Sequence, residues 1–93
     1  MAAIDVTPIG SAEFQVEIHD GDVTTHRVTV PAGYPEQLGV DDVALNVLVR
    51  ESFRFLLERE PKESILRQFE LSVIERYFPE YSDEIGRRVN AGG

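Results

Sequence analysis

The feature that most constrains this chain is residues 41–60, DDVALNVLVRESFRFLLERE, the longest stretch with helical periodicity. At a rise of 1.5 Å per residue, about twenty residues span roughly 30 Å, the width of a small domain. Apolar side chains recur there at three- and four-residue steps: Leu45, Leu48, Val49, Phe53, Leu56 and Leu57, with Ser52 and Phe55 between them. Because only a narrow charged stripe remains, this helix needs cover on two sides, and the flanking segments are predicted to provide it.

The segment before this helix predicts a β-hairpin. Residues 13–19 alternate between apolar and polar side chains, residues 23–30 are rich in β-branched residues, and Asp20-Gly21-Asp22 between them favours a tight turn. An odd-numbered loop, His19-Asp20-Gly21 with Gly21 left-handed, places the apolar side chains on one face and sets Glu13 opposite Arg27. That predicted buried face consists of Phe14, Val16, Ile18, Val28 and Val30.

The segment after the helix predicts short helices separated by prolines. We expect Asp41 or Asp42 to cap the main helix, and further helices over 61 to about 68, 73–78 and about 80–88. Ser72 and Glu75 have the spacing of a capping box. The apolar residues expected to cover the main helix are Ile65, Leu66, Phe69, Leu71, Ile74, Tyr77, Phe78, Tyr81 and Ile85.

These patterns predict an α+β fold: an N-terminal antiparallel hairpin packed on one long central helix, followed by two or three short C-terminal helices. The length of 93 residues favours a single domain, predicted over 12–88. Residues 1–11 are either a flexible N-terminus or a short third edge strand, since Ile4 and Val6 alternate with polar residues. Residues 89–93 are predicted to be a disordered tail.

Composition narrows the function classes. The chain has no cysteine and no apolar run long enough to span a membrane, so a cytoplasmic protein without membrane association is expected. A net charge of −8 disfavours nucleic acid and favours a basic partner. Eight of the nine basic residues are arginine, a bias that suggests a bacterial source.

Two stretches carry a resemblance. The sequences LLEREPKESIL at 56–66 and FELSVIERYFPEY at 69–81 resemble a group of small uncharacterised bacterial proteins. The resemblance implies a shared helical tail and no activity, because no function is assigned to that group.

No catalytic, cofactor or metal site is predicted. His26 is expected near the core, hydrogen-bonded to backbone, with no nucleophile or orienting carboxylate to make it a catalytic base. His19, on the opposite face, clusters with Asp20 and Asp22 at the hairpin tip, where a solvated turn is the expected structure. Glutamates interleave with the helix arginines, which predicts a charge-mixed solvent face. Those arginines are Arg50, Arg54 and Arg59.

Three aromatic residues near the C-terminus form the predicted interface. Tyr77, Phe78 and Tyr81 cannot all point inward from so short a segment, so at least one ring should be exposed and available to a partner. Tyr81 is the favoured anchor, because it begins the most polar helix.

The leading functional hypothesis is a non-enzymatic protein-interaction module, a homodimer or the binder of a small protein partner, using this tail or the unpaired edges of a two-stranded sheet. An acidic antitoxin-like or regulatory protein that neutralises a basic partner is the alternative. A remote alternative is a modifier-like protein, since Gly92-Gly93 is similar to the di-glycine tail of ubiquitin-like modifiers. Such folds need a strand leading into the tail, whereas a helix is predicted here.

Overall fold

A computed structural model describes residues 3–92 and confirms the α+β class. Four strands form one sheet in the order β1-β2-β3-β4. They are β1 (Ala3–Pro8), β2 (Glu13–Asp20), β3 (Asp22–Thr29) and β4 (Gln68–Glu70). The helices are α1 (Tyr34–Gln37), α2 (Leu45–Leu57), a 3-10 helix (Lys62–Ser64), α3 (Val73–Tyr77) and α4 (Tyr81–Gly92).

The predicted hairpin and its buried face are confirmed. In the antiparallel pairing of β2 with β3, Phe14 lies opposite Val28 and Val16 lies opposite His26. Gly21 is left-handed at φ 81°, as predicted for the turn. The loop is shorter than predicted, however, because pairing extends to Asp20 and Asp22 and places Glu13 opposite Thr29 rather than Arg27. The loop still has an odd number of residues, and this is what places the apolar side chains of both strands on the same face of the sheet.

A strand flanks the hairpin on each side. β1 pairs with β2 in antiparallel fashion, so residues 4–7 do form the candidate third strand. β4 pairs with β3 in parallel and begins at Gln68, where the helix predicted over 61 to about 68 was expected to end. The prediction of that helix is wrong beyond the 3-10 turn Lys62–Ser64, because the free edge of β3 pairs with the chain that follows: Arg27 N–H donates to Arg67 O and Leu71 N–H donates to Thr29 O. Local helix propensity is overridden by these long-range backbone bonds.

The main helix is shorter than predicted. α2 has 13 residues, with Ala44 at its N-cap in an extended conformation and no side-chain cap. Asp41 and Asp42 lie in an exposed turn in which Val43 N–H donates to Val40 O, so neither acid caps the helix. Val49, Phe53 and Leu56 are buried along it as expected, whereas Leu45, expected to be buried with them, is half-buried at its first position.

The prediction of one long central helix is not confirmed, because α4 has 12 residues and packs against α2. Its apolar side chains Tyr81, Ile85 and Val89 recur every four residues and are all buried. Val89 was predicted to begin a disordered tail, but it lies inside this helix. The helical course of α4 also differs from the strand that a di-glycine modifier needs, while Met1, Ala2 and Gly93 lie outside the described residues.

The predicted capping box at α3 is wrong. Ser72 is the N-cap residue but makes no side-chain cap hydrogen bond. The Glu75 carboxylate is instead engaged by α1, since Tyr34 Oη donates to Glu75 Oε1 at 2.6 Å. This bond links the connection after the sheet to the C-terminal helices. Burial, together with this bond, raises the pKa of the Tyr34 hydroxyl.

Helices cover one face of the sheet, and the other face carries half-buried or exposed polar side chains. Buried side chains alternate along β2 and β3, and they join residues of α1, α2, α3 and α4 in one core. Glu13, Gln15, Glu17 and Arg27 face outward on the other side, half-buried or exposed. No helix within residues 3–92 is both long and apolar enough to cross a membrane.

Candidate interaction groove

A groove opens where the C-terminal end of α2, the 3-10 helix, β4 and α3 meet. Its cavity volume is about 340 Å³, within the range of ligand pockets. Tyr77 and Phe78 line it at the end of α3, and Glu60 and Ser64 contribute polar atoms. The remaining walls are apolar: Leu56, Ile65, Leu66, Phe69, Val73 and Ile74. The groove is therefore an apolar surface with few polar groups.

The path of the chain after α2 creates this groove. Pro61 is extended at ψ 157°, so the chain leaves the axis of α2 before the single 3-10 turn. Ile65 is extended as well, at φ −75° and ψ 133°, and leads into β4. Successive side chains of an extended segment point to opposite sides. Ile65 is therefore buried, while the next side chain, Leu66, stays at the surface.

Two of the four exposed large hydrophobic side chains among the described residues line the groove. Tyr77 is 68% exposed and Leu66 is 48% exposed. The other exposed large hydrophobic side chains among the described residues, Ile9 and Val23, do not line it. Single exposed hydrophobic residues are ordinary, but a cluster beside an apolar cavity is typical of a binding surface.

The three aromatic residues predicted as an interface are divided by the structure. Tyr77 is exposed, which confirms that at least one ring faces solvent. Phe78 is half-buried and packs edge-on against Phe55 with ring centroids 6.0 Å apart. Tyr81 is fully buried, so its selection as the exposed anchor is wrong. Tyr77 and Phe78 belong to the groove, whereas Tyr81 belongs to the core.

Tyr81 is buried because it joins α4 to α2. Its ring lies edge-on to Phe55 at 5.2 Å between centroids. Its hydroxyl lies 2.7 Å from Ser52 Oγ, and Ser52 already donates its own hydrogen to Leu48 O. Tyr81 is therefore the donor to Ser52, and burial raises the pKa of its hydroxyl. The polar atom of the ring is satisfied inside the core.

Glu60 is the charged member of the groove lining. Its carboxylate makes no ion pair within residues 3–92, unlike the neighbouring Arg59 and Lys62. Burial raises the pKa of Glu60 above its usual value of 4.5, because partial removal from water disfavours the ionised form. The sequence gives one hint of this position, because Glu60 directly precedes Pro61 in the segment that leaves α2.

His26 is buried and does not line the groove, but it bonds to the backbone of a residue that does. Its Nδ1 lies 2.8 Å from Leu66 O and its Nε2 lies 2.9 Å from Thr24 Oγ1. A carbonyl oxygen only accepts, so Nδ1 carries the hydrogen and Thr24 donates to Nε2. Burial, with a smaller contribution from Arg67, lowers the pKa of His26. The prediction of a buried histidine bonded to backbone is confirmed. This hydrogen bond anchors the groove residue Leu66 to the sheet.

The polar residues predicted to cluster at the hairpin tip, His19, Asp20 and Asp22, do not form one cluster, because Asp22 and His19 have different partners. Asp22 Oδ1 pairs with Lys62 Nζ at 2.8 Å, which ties the turn to the 3-10 helix. His19 lies on the outer face, with Nε2 3.1 Å from Asp5 Oδ2 and 3.5 Å from Glu17 Oε1. These three offer ligand atoms within 4.8 Å of one another, but Asp5 is 65% exposed and His19 41%. Ion pairs this exposed contribute little to stability.

The arginines of the predicted charge-mixed solvent face differ in exposure: Arg54 is exposed, whereas Arg50 and Arg59 are half-buried. Arg54 pairs with Glu51 one turn away. Arg59 pairs with Glu80 at 3.1 Å and with Glu84 at 3.0 Å, and its guanidinium also stacks over the Phe55 ring. These contacts bind α4 to the end of α2 and leave Arg59 engaged.

No protein-family model, curated protein or solved structure matches this chain. The resemblance to small uncharacterised bacterial proteins therefore stays a prediction. Since function cannot be transferred from another protein, it must be inferred from the groove, its exposed side chains and its charge.

Proposed function

We propose that this protein is a small non-enzymatic interaction module that binds an apolar segment of a partner protein in the groove. The observation that supports this function is the pairing of an apolar cavity with exposed Leu66 and Tyr77 on the same surface. Binding would bury both side chains, and aromatic residues of this kind often act as anchors at protein interfaces.

The groove is built on ordered elements rather than on a free loop. His26 fixes the backbone at Leu66, and backbone bonds from β3 hold the segment on both sides of β4. Preorganised backbone lowers the entropy lost on binding, so a short peptide segment is a suitable occupant. The lack of cysteine and the Arg-rich composition favour the bacterial cytoplasm as the setting.

A second copy of the chain is the alternative occupant. The sequence argument for a homodimer used the unpaired edges of a two-stranded sheet, but β1 now covers the edge of β2, and β4 covers residues 27–29 of β3. Two copies would also bring together two chains of net charge −8. We therefore favour a different partner, and light scattering across concentration tests the point. If the protein is a dimer that becomes monomeric on Leu66→Ala, the occupant of the groove is a second copy of the chain rather than a different protein.

Selection from a library of random short peptides tests the proposal. We expect selected peptides to share an apolar or aromatic residue and to bind the wild-type protein in calorimetry. Tyr77→Ala and Leu66→Ala should each weaken binding at least tenfold, because interface energy is concentrated in a few anchors.

The matched control is Val23→Ala, which truncates a side chain of similar exposure, 50%, outside the groove. It should leave peptide binding unchanged. If no peptide is enriched, or if all three variants bind the peptides as tightly as wild type, the groove is not a binding site.

A further inference from the structure

Resting on the proposed interaction function, we infer that the partner segment carries a lysine or arginine beside its apolar anchor, and that Glu60 selects this basic residue. The groove would then recognise two chemical features together: an apolar side chain in the cavity and a cation at its charged wall. The partner segment is therefore basic and amphipathic. Glu60 is the acidic residue of this chain that would contact its cation.

The cations nearest to Glu60 in sequence are already engaged. Arg59 pairs with Glu80 and Glu84, and Lys62 Nζ lies 2.8 Å from both Asp22 Oδ1 and Glu63 Oε2. Within residues 3–92, Glu60 is thus left without an ion pair while it lines the cavity. A carboxylate in this position is free to accept a cation from another molecule.

Binding of a partner would further desolvate the Glu60 carboxylate, and a cation would offset that cost. Glu60 is already partly withdrawn from water, which is why its pKa is raised. An uncharged occupant would remove more water from the carboxylate and so add a desolvation penalty to binding. A basic side chain would instead replace that water with a charge-assisted hydrogen bond, which is among the stronger kinds in proteins. The groove therefore discriminates against purely apolar segments.

The overall charge acts in the same direction. With a net charge of −8, the protein attracts basic segments and repels acidic ones during diffusional encounter. Most of that attraction is long-ranged and weakens with salt. The contact with Glu60 is local, so it can be separated from the general charge by substitution.

The test uses the peptides selected for groove binding. We expect them to contain a conserved lysine or arginine, and we expect Glu60→Gln to weaken their binding about tenfold, the value of one charge-assisted contact. Glu36→Gln makes the same change in net charge at an exposed site on α1 and should have little effect. Replacing the lysine of a peptide by norleucine, which keeps the four-carbon side chain without the ammonium group, should weaken binding to wild type but not to Glu60→Gln.

The outcomes separate the two proposals. Peptides that depend on Leu66 but lack a basic residue, or that bind Glu60→Gln as tightly as wild type, would overturn the role of Glu60 and leave the interaction function standing. Equal losses in Glu60→Gln and Glu36→Gln would show that net charge alone attracts the partner. Failure to select any groove-dependent peptide would remove both proposals.

Discussion

Tyr81 and Tyr77 allow a sharp test of how the C-terminal segment divides between core and groove. Tyr81 is 0% exposed, whereas Tyr77 is 68% exposed. Tyr81→Ala removes a buried ring that packs on Phe55, which should cost about 3–5 kcal/mol. A domain of this size has a total stability of about 5–14 kcal/mol, so this variant should be near the limit of folding. Tyr77→Ala should cost less than about 1 kcal/mol, since its ring loses little buried area.

Tyr81→Phe separates the ring from its hydroxyl. It keeps the packing but removes the hydrogen bond donated to Ser52, so the expected loss is about 0.5–1.5 kcal/mol. Urea unfolding followed by circular dichroism gives the three values, because a change in midpoint at constant slope reports stability. The reasoning would be refuted if Tyr77→Ala destabilised the protein as much as Tyr81→Ala. It would also fail if Tyr81→Ala left the unfolding midpoint unchanged.

Two further predictions concern titration. The pKa of buried His26 is lowered in the folded state from 6.5, so the unfolded chain binds the proton first and stability should fall as pH decreases below 6.5. Urea unfolding between pH 7 and about pH 5 checks this, and the same slope in His26→Gln would contradict it. For Glu60 the folded pKa is raised from 4.5, so its ionised form opposes folding at neutral pH. Glu60→Gln should therefore raise the unfolding midpoint at pH 7, and a lower midpoint would show that the carboxylate has a stabilising partner.

The hairpin was predictable because strand periodicity is a local signal. The alternation of Phe14, Val16 and Ile18 defines one face, and the β-branched run at Val28 and Val30 requires an odd loop to share it. The exact loop length was not predictable, since loops differing by two residues bury the same faces. Only backbone pairing near Gly21 decides between them.

The elements that sequence missed depend on contacts between distant segments. Gln68-Phe69-Glu70 is too short to show strand periodicity, and it becomes β4 only because β3 offers free backbone groups. The polar composition of the last helix favours a surface position for Tyr81, but the spacing of Tyr81, Ile85 and Val89 makes one apolar stripe that α2 covers.

The groove was missed for a related reason. The predicted helix over 61 to about 68 places Leu66 among the residues that cover α2. In the extended segment that replaces this helix, Leu66 and its buried neighbour Ile65 point to opposite sides. An exposed apolar wall therefore arises from the chain path after Pro61, which no short-range pattern specifies.

Chemical-shift mapping by nuclear magnetic resonance tests the central claim most directly. A selected peptide is titrated into isotope-labelled protein, and the affected amides are located on the fold. We predict that the largest shifts fall on residues 64–66 and 73–78 and at Glu60, with little change on the outer face of β2 and β3. Shifts centred on that outer face, around Glu17 and Thr25, would contradict the assignment of the groove as the binding site.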